Sequence, residues 1–182
     1  MNNHIFTLVF ILLFSGTTAF SQTQKGTILL GGNANIGLAS TNDFTAVSFN
    51  LSPNIGLFVA NQFALGFSPH FNYSQIEAGN GFTAAGGGIF ARYYIPLGEK
   101  VNPFLFARAG FSATQTIVPN IPAQQWAGGF QGGGGAGLAF FLNQSIALEV
   151  VASYQRLDFN GIQRSNDLSL RAGFQIHLPQ AD

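Results

Sequence analysis

Past its first two dozen residues the chain alternates apolar with polar or small side chains, in separate stretches. The last stretch is the plainest. Leu168, Leu170, Ala172, Phe174, Ile176 and Leu178 fall on one side; Ser169, Arg171, Gly173, Gln175 and His177 fall on the other. Near the start, Ile28, Leu30, Gly32, Ala34, Ile36 and Leu38 alternate with Thr27, Leu29, Gly31, Asn33, Asn35 and Gly37. Successive side chains of a strand point to opposite faces, so a period of two marks strands between two unlike environments. The same pattern predicts strands over residues 45–58, 63–74, 84–97, 103–113, 130–142 and 146–155, making eight with the two already named.

The connections alternate in length. Short turns fall at 60–62, 98–102 and 143–145, and longer loops at 39–44, 75–83, 114–129 and 156–166. This is the rhythm of an up-and-down antiparallel barrel with short turns and both termini at one end and loops at the other. An even number of strands closes such a barrel and leaves no edge.

Residues 5–14 form an apolar run that Ser15, Gly16, Thr17 and Thr18 interrupt, and Ala19-Phe20-Ser21 supplies a small-x-small cleavage pattern. We read residues 1–21 as a signal peptide, too short to span as a helix, and residues 22–182 as one barrel domain.

Composition decides which way the barrel faces. Only 8% of residues are charged, while 20 Phe and 23 Gly are present. A soluble lipocalin-like barrel, apolar inside and carrying an apolar ligand, is the alternative, but it needs a well-charged exterior. Here the polar faces are mostly Gly, Ser, Asn and Gln, which suit a crowded lumen, and an eight-stranded barrel is just wide enough to be filled by side chains. Of the charges, Asp43, Glu77, Arg156, Asp158, Arg164 and Asp167 fall in or beside the expected long loops, and Glu99 and Lys100 in a short turn. Arg92, Arg108, Glu149 and Arg171 are expected within strands, all on the polar face. An arginine on the lipid face at the bilayer midplane costs about 2–4 kcal/mol, and this distribution respects that penalty. The expectation is an all-β, eight-stranded antiparallel up-and-down transmembrane β-barrel of the outer membrane, with its apolar face to outer-membrane lipid and a monomeric state.

Hairpin spacing places Arg92 opposite Arg108 about Lys100, and Glu149 near Arg171 about Asn160. Like charges facing one another destabilise a strand pair, and Glu149 is the one strand acid able to offset them. A buried lumen network of Arg92, Arg108, Glu149 and Arg171 is expected, completed by tyrosine hydroxyls and water. Its first role is structural, since buried charge must be satisfied. Its net positive charge also admits an anion site or a narrow channel for ions or small solutes.

Other chemistry is sparse. Ser68 and His70 share a face, but no acid is placed to orient the histidine, so it is read as filling the lumen and the protein as no enzyme. The glycines at 132–135 and 86–88 lack the lysine and hydroxyl of a phosphate loop and are read as making room in strands. The histidines at positions 4, 70 and 177 have no metal spacing, and there is no cysteine, so neither metal nor cofactor is expected. No basic stripe invites nucleic acid. The loop at 114–129 carries Ile117, Val118, Ile121 and the single Trp126, an apolar set suited to an extracellular partner, to the barrel mouth or to the membrane interface.

The stretch Pro53-Asn54-Ile55-Gly56-Leu57-Phe58-Val59-Ala60-Asn61-Gln62-Phe63-Ala64-Leu65-Gly66 resembles the strand-turn-strand signature of small OmpA/OmpX-like outer-membrane barrels of Gram-negative bacteria. Phe90-Ala91-Arg92-Tyr93-Tyr94-Ile95 and Gly135-Ala136-Gly137-Leu138-Ala139-Phe140-Phe141-Leu142 are similar to their later strands. The resemblance covers nearly all of residues 22–182. It implies the architecture and no activity, since such barrels serve as scaffolds, adhesion or defence proteins and, in a few cases, enzymes. The expected role is structural or surface interaction.

Overall fold

The structure is a computed structural model that describes residues 21–40, 45–76, 79–119, 121, 126–159 and 163–179. The leader reading over residues 1–21 lies, all but Ser21, outside the described residues. After a 3-10 turn at Ser21–Thr23 come eight strands: β1 (Ile28–Ser40), β2 (Thr45–Ala60), β3 (Phe63–Ile76), β4 (Gly81–Tyr94), β5 (Val101–Ile117), β6 (Ala127–Phe141), β7 (Ile146–Phe159) and β8 (Gln163–Leu178). Each pairs antiparallel with the next, and β8 returns to β1 to close the barrel.

The two faces of the alternation are the outside and the lumen. On β2 the apolar Leu51, Ile55 and Leu57 are 40, 53 and 46% exposed while Ser52 and Phe58, on the alternate positions, are buried. On β7, Leu148 and Val150 are exposed and Ala147, Glu149 and Ser153 are buried. A barrel built to carry an apolar ligand in water would show the reverse, so the soluble reading fails on the orientation of these side chains. The outer belt on β7 and β8 runs from Ile146 and Ile176 to the paired Tyr154 and Leu168, beyond which charged residues begin. Nine tilted strand residues match an apolar band about 25 Å tall with an aromatic at its rim.

Strands extend further toward the long-loop end than the pattern suggested, because polar residues above the belt still pair. Arg156, Asp158, Arg164 and Asp167, expected in or beside a loop, lie within β7 and β8. Strand four is displaced: β4 begins at Gly81 and ends at Tyr94, not at 84 and 97. Pro96 lacks an N–H, and the buried Asn102 side chain accepts hydrogen bonds from the backbone N–H of Leu97 (3.2 Å) and Gly98 (3.4 Å), holding residues 95–100 as the turn.

That displacement corrects the expected register. Arg92 lies opposite Phe106, and Arg108 opposite Phe90. Glu149 lies opposite Gly173, and Arg171 opposite Val151. A turn centre misplaced by one residue moves every partner by two, so the side chains keep their face and become diagonal neighbours.

Glycines create room for aromatic rings in the lumen. Gly56 and Gly66 are cross-strand partners, and a Cβ on them would meet the Phe90 ring at 3.1 and 2.5 Å. Gly137 likewise underlies the Phe104 ring. The end of the barrel that holds the short turns is packed solid with Leu29, Phe58, Tyr94, Phe104, Phe141 and His177.

Candidate functional site: a plugged lumen beneath an open vestibule

The lumen has two layers. In the lower one, at the short-turn end, β4 projects Arg92 and Tyr94 toward Glu149 of β7. Arg92 Nη1 donates to both carboxylate oxygens, at 2.8 and 2.9 Å, and to the Tyr94 hydroxyl at 3.0 Å. The Tyr94 hydroxyl in turn donates to Glu149 Oε1 at 3.1 Å. The guanidinium carbon stands 4.4 Å from the centre of the Phe104 ring, adding a cation–π contact. Arg92 and Glu149 are both buried. The Glu149 carboxylate is held by both Arg92 and Tyr94, whereas Arg92 bonds through Nη1 alone and its buried Nε has no hydrogen-bond partner among the described residues, so the Phe104 ring supplies part of its compensation.

Below this, the segment leading into β1 closes the barrel. Gly26 N–H donates to Phe58 O and Phe58 N–H to Thr27 O, and Gln62 N–H donates to Thr23 O. His177 Nδ1 meets the Gln22 carbonyl at 2.8 Å, and its ring packs against Phe58, Tyr94 and Phe141 with centroids 5.0–5.8 Å apart. The sequence reading assigned no such role to His177 or to residues 22–27. The only signal was that His177 sits on the polar face of the last strand, between Ile176 and Leu178.

The upper layer opens toward the long loops as a cavity of about 630 Å³. One hydrogen-bonded chain crosses its floor. Ser112 Oγ lies 3.1 Å from His70 Nε2, and His70 Nδ1 lies 3.3 Å from the Gln131 amide. The Gln155 amide donates to Gln131 Oε1 at 2.6 Å, and Arg108 donates to Gln155 Oε1. Arg171 Nη2 donates to Ser153 Oγ at 2.7 Å, and Ser153 meets Ser169 at 2.9 Å.

Arg92, Arg108, Glu149 and Arg171 thus border one small cavity of about 60 Å³ between the layers. Direct contact within the four is confined, among the described hydrogen bonds, to Arg92 with Glu149. Arg108 and Arg171 have carboxamide and hydroxyl partners instead, and the cavity has room for water between the two sets.

Ser68 does not serve His70: its hydroxyl donates to the Pro53 carbonyl at 3.0 Å. The serine at His70 is Ser112, which the sequence reading missed. His70 pairs with Gly86 and Gly86 with Ser112, so the three form one row across β3, β4 and β5, and the missing side chain of Gly86 lets the outer two meet. Among the described residues, no group of His, Asp or Glu could hold a metal ion.

At the loop end, Ile117, Ile121 and Trp126 are 37, 55 and 49% exposed, and Val118 accepts a backbone hydrogen bond from Ile121 N–H at 3.3 Å. These apolar groups therefore stand at the outer rim and contribute nothing to the lumen core.

An apolar belt facing outward, a polar upper lumen and return of β8 to β1 define an integral β-barrel of the outer membrane, with the OmpA/OmpX-like eight-stranded architecture. Solved structures of that architecture superimpose on the chain. Neisserial surface protein A matches with TM-score 0.60 and 18% identity, over 84% of this chain and 99% of that one. OprG from Pseudomonas aeruginosa matches with TM-score 0.55 and 13% identity, over 90% and 100%. The N-terminal barrel domain of Pseudomonas aeruginosa OprF matches with TM-score 0.54 and 13% identity, over 85% and 98%. At these identities the likeness concerns the fold. No protein-family model matches the sequence, and no curated protein matches it.

Proposed function

We propose that this outer-membrane barrel is a non-catalytic structural or surface-interaction protein, sealed at its periplasmic end and presenting its rim to the exterior. The observation that carries this is the packed lower lumen. Phe58, Tyr94, Phe104 and His177 are at most 1% exposed, and the Arg92–Glu149 pair lies across the barrel directly above them. Such packing supports a sealed scaffold over a conducting path. The exposed Ile117, Ile121 and Trp126 at the opposite end favour contact with an external partner or with the membrane interface.

The Ser112–His70 contact is the observation that speaks for catalysis, and it falls short on two counts. Ser112 is buried, at 5% exposure, and the group behind His70 is a carboxamide, which cannot balance an imidazolium as a carboxylate does. Planar-bilayer recording tests the sealed reading. The expected trace is flat, and steady, reproducible single-channel steps would favour the channel instead.

A further inference from the structure

The ladder between β1 and β8 runs from Ile28↔Leu178 to Gly32↔Phe174 and stops. Both strands continue toward the outer rim, β1 to Ser40 and β8 back to Gln163. Their other edges remain paired to that rim, β1 with β2 as far as Ser40↔Thr45 and β8 with β7 as far as Phe159↔Gln163. The fork lies at Gly32, whose φ of 140° is a backbone conformation that other residues rarely adopt.

Above the fork the strands separate. Ile36 and Leu38 of β1, and Leu168 and Leu170 of β8, are 71–82% exposed, well above most of the belt. The upper cavity is bordered here by Ala34, Leu170 and Ala172, which by alternation belong to the outer face. A lumen cavity reaches outer-face residues only by passing between strands. The vestibule therefore has a second mouth in its side wall, at the depth of the apolar belt. Unpaired backbone is tolerated at that depth where it lines a wet cavity rather than lipid tails.

Just inside that mouth lie Arg108 and Arg171. The Nε atom of each is buried with no hydrogen-bond partner among the described residues. Asp167 is the one acidic residue lining this cavity, so its wall is net cationic. The rest is largely carboxamide and hydroxyl, including Asn33, Asn50 and Gln131, which suits a head group and not a hydrocarbon tail. The apolar surface lies outside, along Ile36, Leu38, Leu168 and Leu170.

We propose that the outer half of the lumen binds a single-chain anionic amphiphile. Its carboxylate or phosphate head sits at Arg108 and Arg171, where guanidinium groups favour such oxyanions. Its tail leaves through the β1–β8 gap into the outer leaflet. The site depends on membrane insertion and is independent of any role for the loops.

A hexadecanoate bearing a photoactivatable diazirine near its carboxylate tests this, with the protein in neutral phosphatidylcholine vesicles and insertion sites mapped by mass spectrometry. Saturable labelling is expected in residues 33–36 and 168–172. It should fall at least tenfold in Arg108→Gln/Arg171→Gln, and the matching hexadecanol probe should show none. Dodecyl phosphate should displace the probe at concentrations where inorganic phosphate does not, which separates an amphiphile from a free anion. Ile36→Cys and Leu170→Cys, which continue the register of the ladder, should cross-link on oxidation in a chain with no other cysteine, abolish saturable labelling and restore it on reduction. All variants are compared after showing the unboiled mobility shift of a folded barrel. Saturable labelling that persists in the double glutamine variant or in the cross-linked barrel overturns the proposal, as does displacement by inorganic phosphate at the same concentration.

Discussion

Arg92 and Glu149 stand 57 positions apart in the chain and share two hydrogen bonds across the barrel, at 2.8 and 2.9 Å. Neither has an equivalent partner to fall back on. Arg92→Met should therefore strand a buried carboxylate and cost about 3–5 kcal/mol, whereas the double change Arg92→Met/Glu149→Leu should recover much of that loss. Urea unfolding in detergent, followed by the unboiled gel shift, checks both. Equal losses in the single and double variants would show that the pair contributes through packing alone.

Phe90 lies over a strip that Gly56 and Gly66 leave bare. Gly66→Ala should destabilise the barrel by about 1–3 kcal/mol through overpacking. Adding Phe90→Leu to Gly66→Ala should restore only part of it, since the new methyl meets the Ile55 carbonyl as well as the ring. The same unfolding assay reports the sign.

Outer and lumen faces should respond oppositely to charge. Val150 is exposed in the belt and Gln155 faces the vestibule. Val150→Arg should cost about 2–4 kcal/mol in lipid, and Gln155→Glu, whose new charge meets Arg108, far less. Unfolding in phospholipid vesicles distinguishes them, and comparable costs would contradict the orientation of β7.

If Ser112 is a structural hydroxyl, a serine-reactive fluorophosphonate should leave the folded barrel unlabelled, and phospholipid ester hydrolysis by Ser112→Ala should equal that of the parent. Stoichiometric labelling lost in Ser112→Ala would make the His70 contact a catalytic one.

Packing of the lower lumen should decide whether the barrel conducts. Phe58→Ala/Tyr94→Ala removes two adjoining rings whose centroids are 5.6 Å apart and should give conductance where the parent gives none. Flat recordings from a folded double variant would place the seal in the segment leading into β1 instead.

Much of the architecture was legible because period two survives substitution by any apolar residue. Leu168 to Leu178 declare their face whatever partners they have. The register was less legible. The expected Arg92–Arg108 pairing missed by two residues because the turn is held by Asn102, a side-chain interaction that no alternation reveals. The lumen set of Arg92, Arg108, Glu149 and Arg171 was legible as in-facing charges, but which of them touch depends on that register. The approach of Ser112 to His70 was hidden for the same reason, as it needs two hairpin registers and the bare Gly86 between them. The plug formed by residues 22–27 carries no pattern at all, since its hydrogen bonds are made by backbone.

The contact between His177 and the Gln22 carbonyl joins positions 155 apart. A link over so long a loop is entropically the last to form, after the intervening hairpins have drawn its ends together. It can therefore act as a latch on assembly: a nascent barrel lacking its final strand leaves Phe58, Tyr94 and Phe141 without the imidazole they pack around. Closure by β8 is thereby registered at the base of the barrel, far from the loops that face the outside.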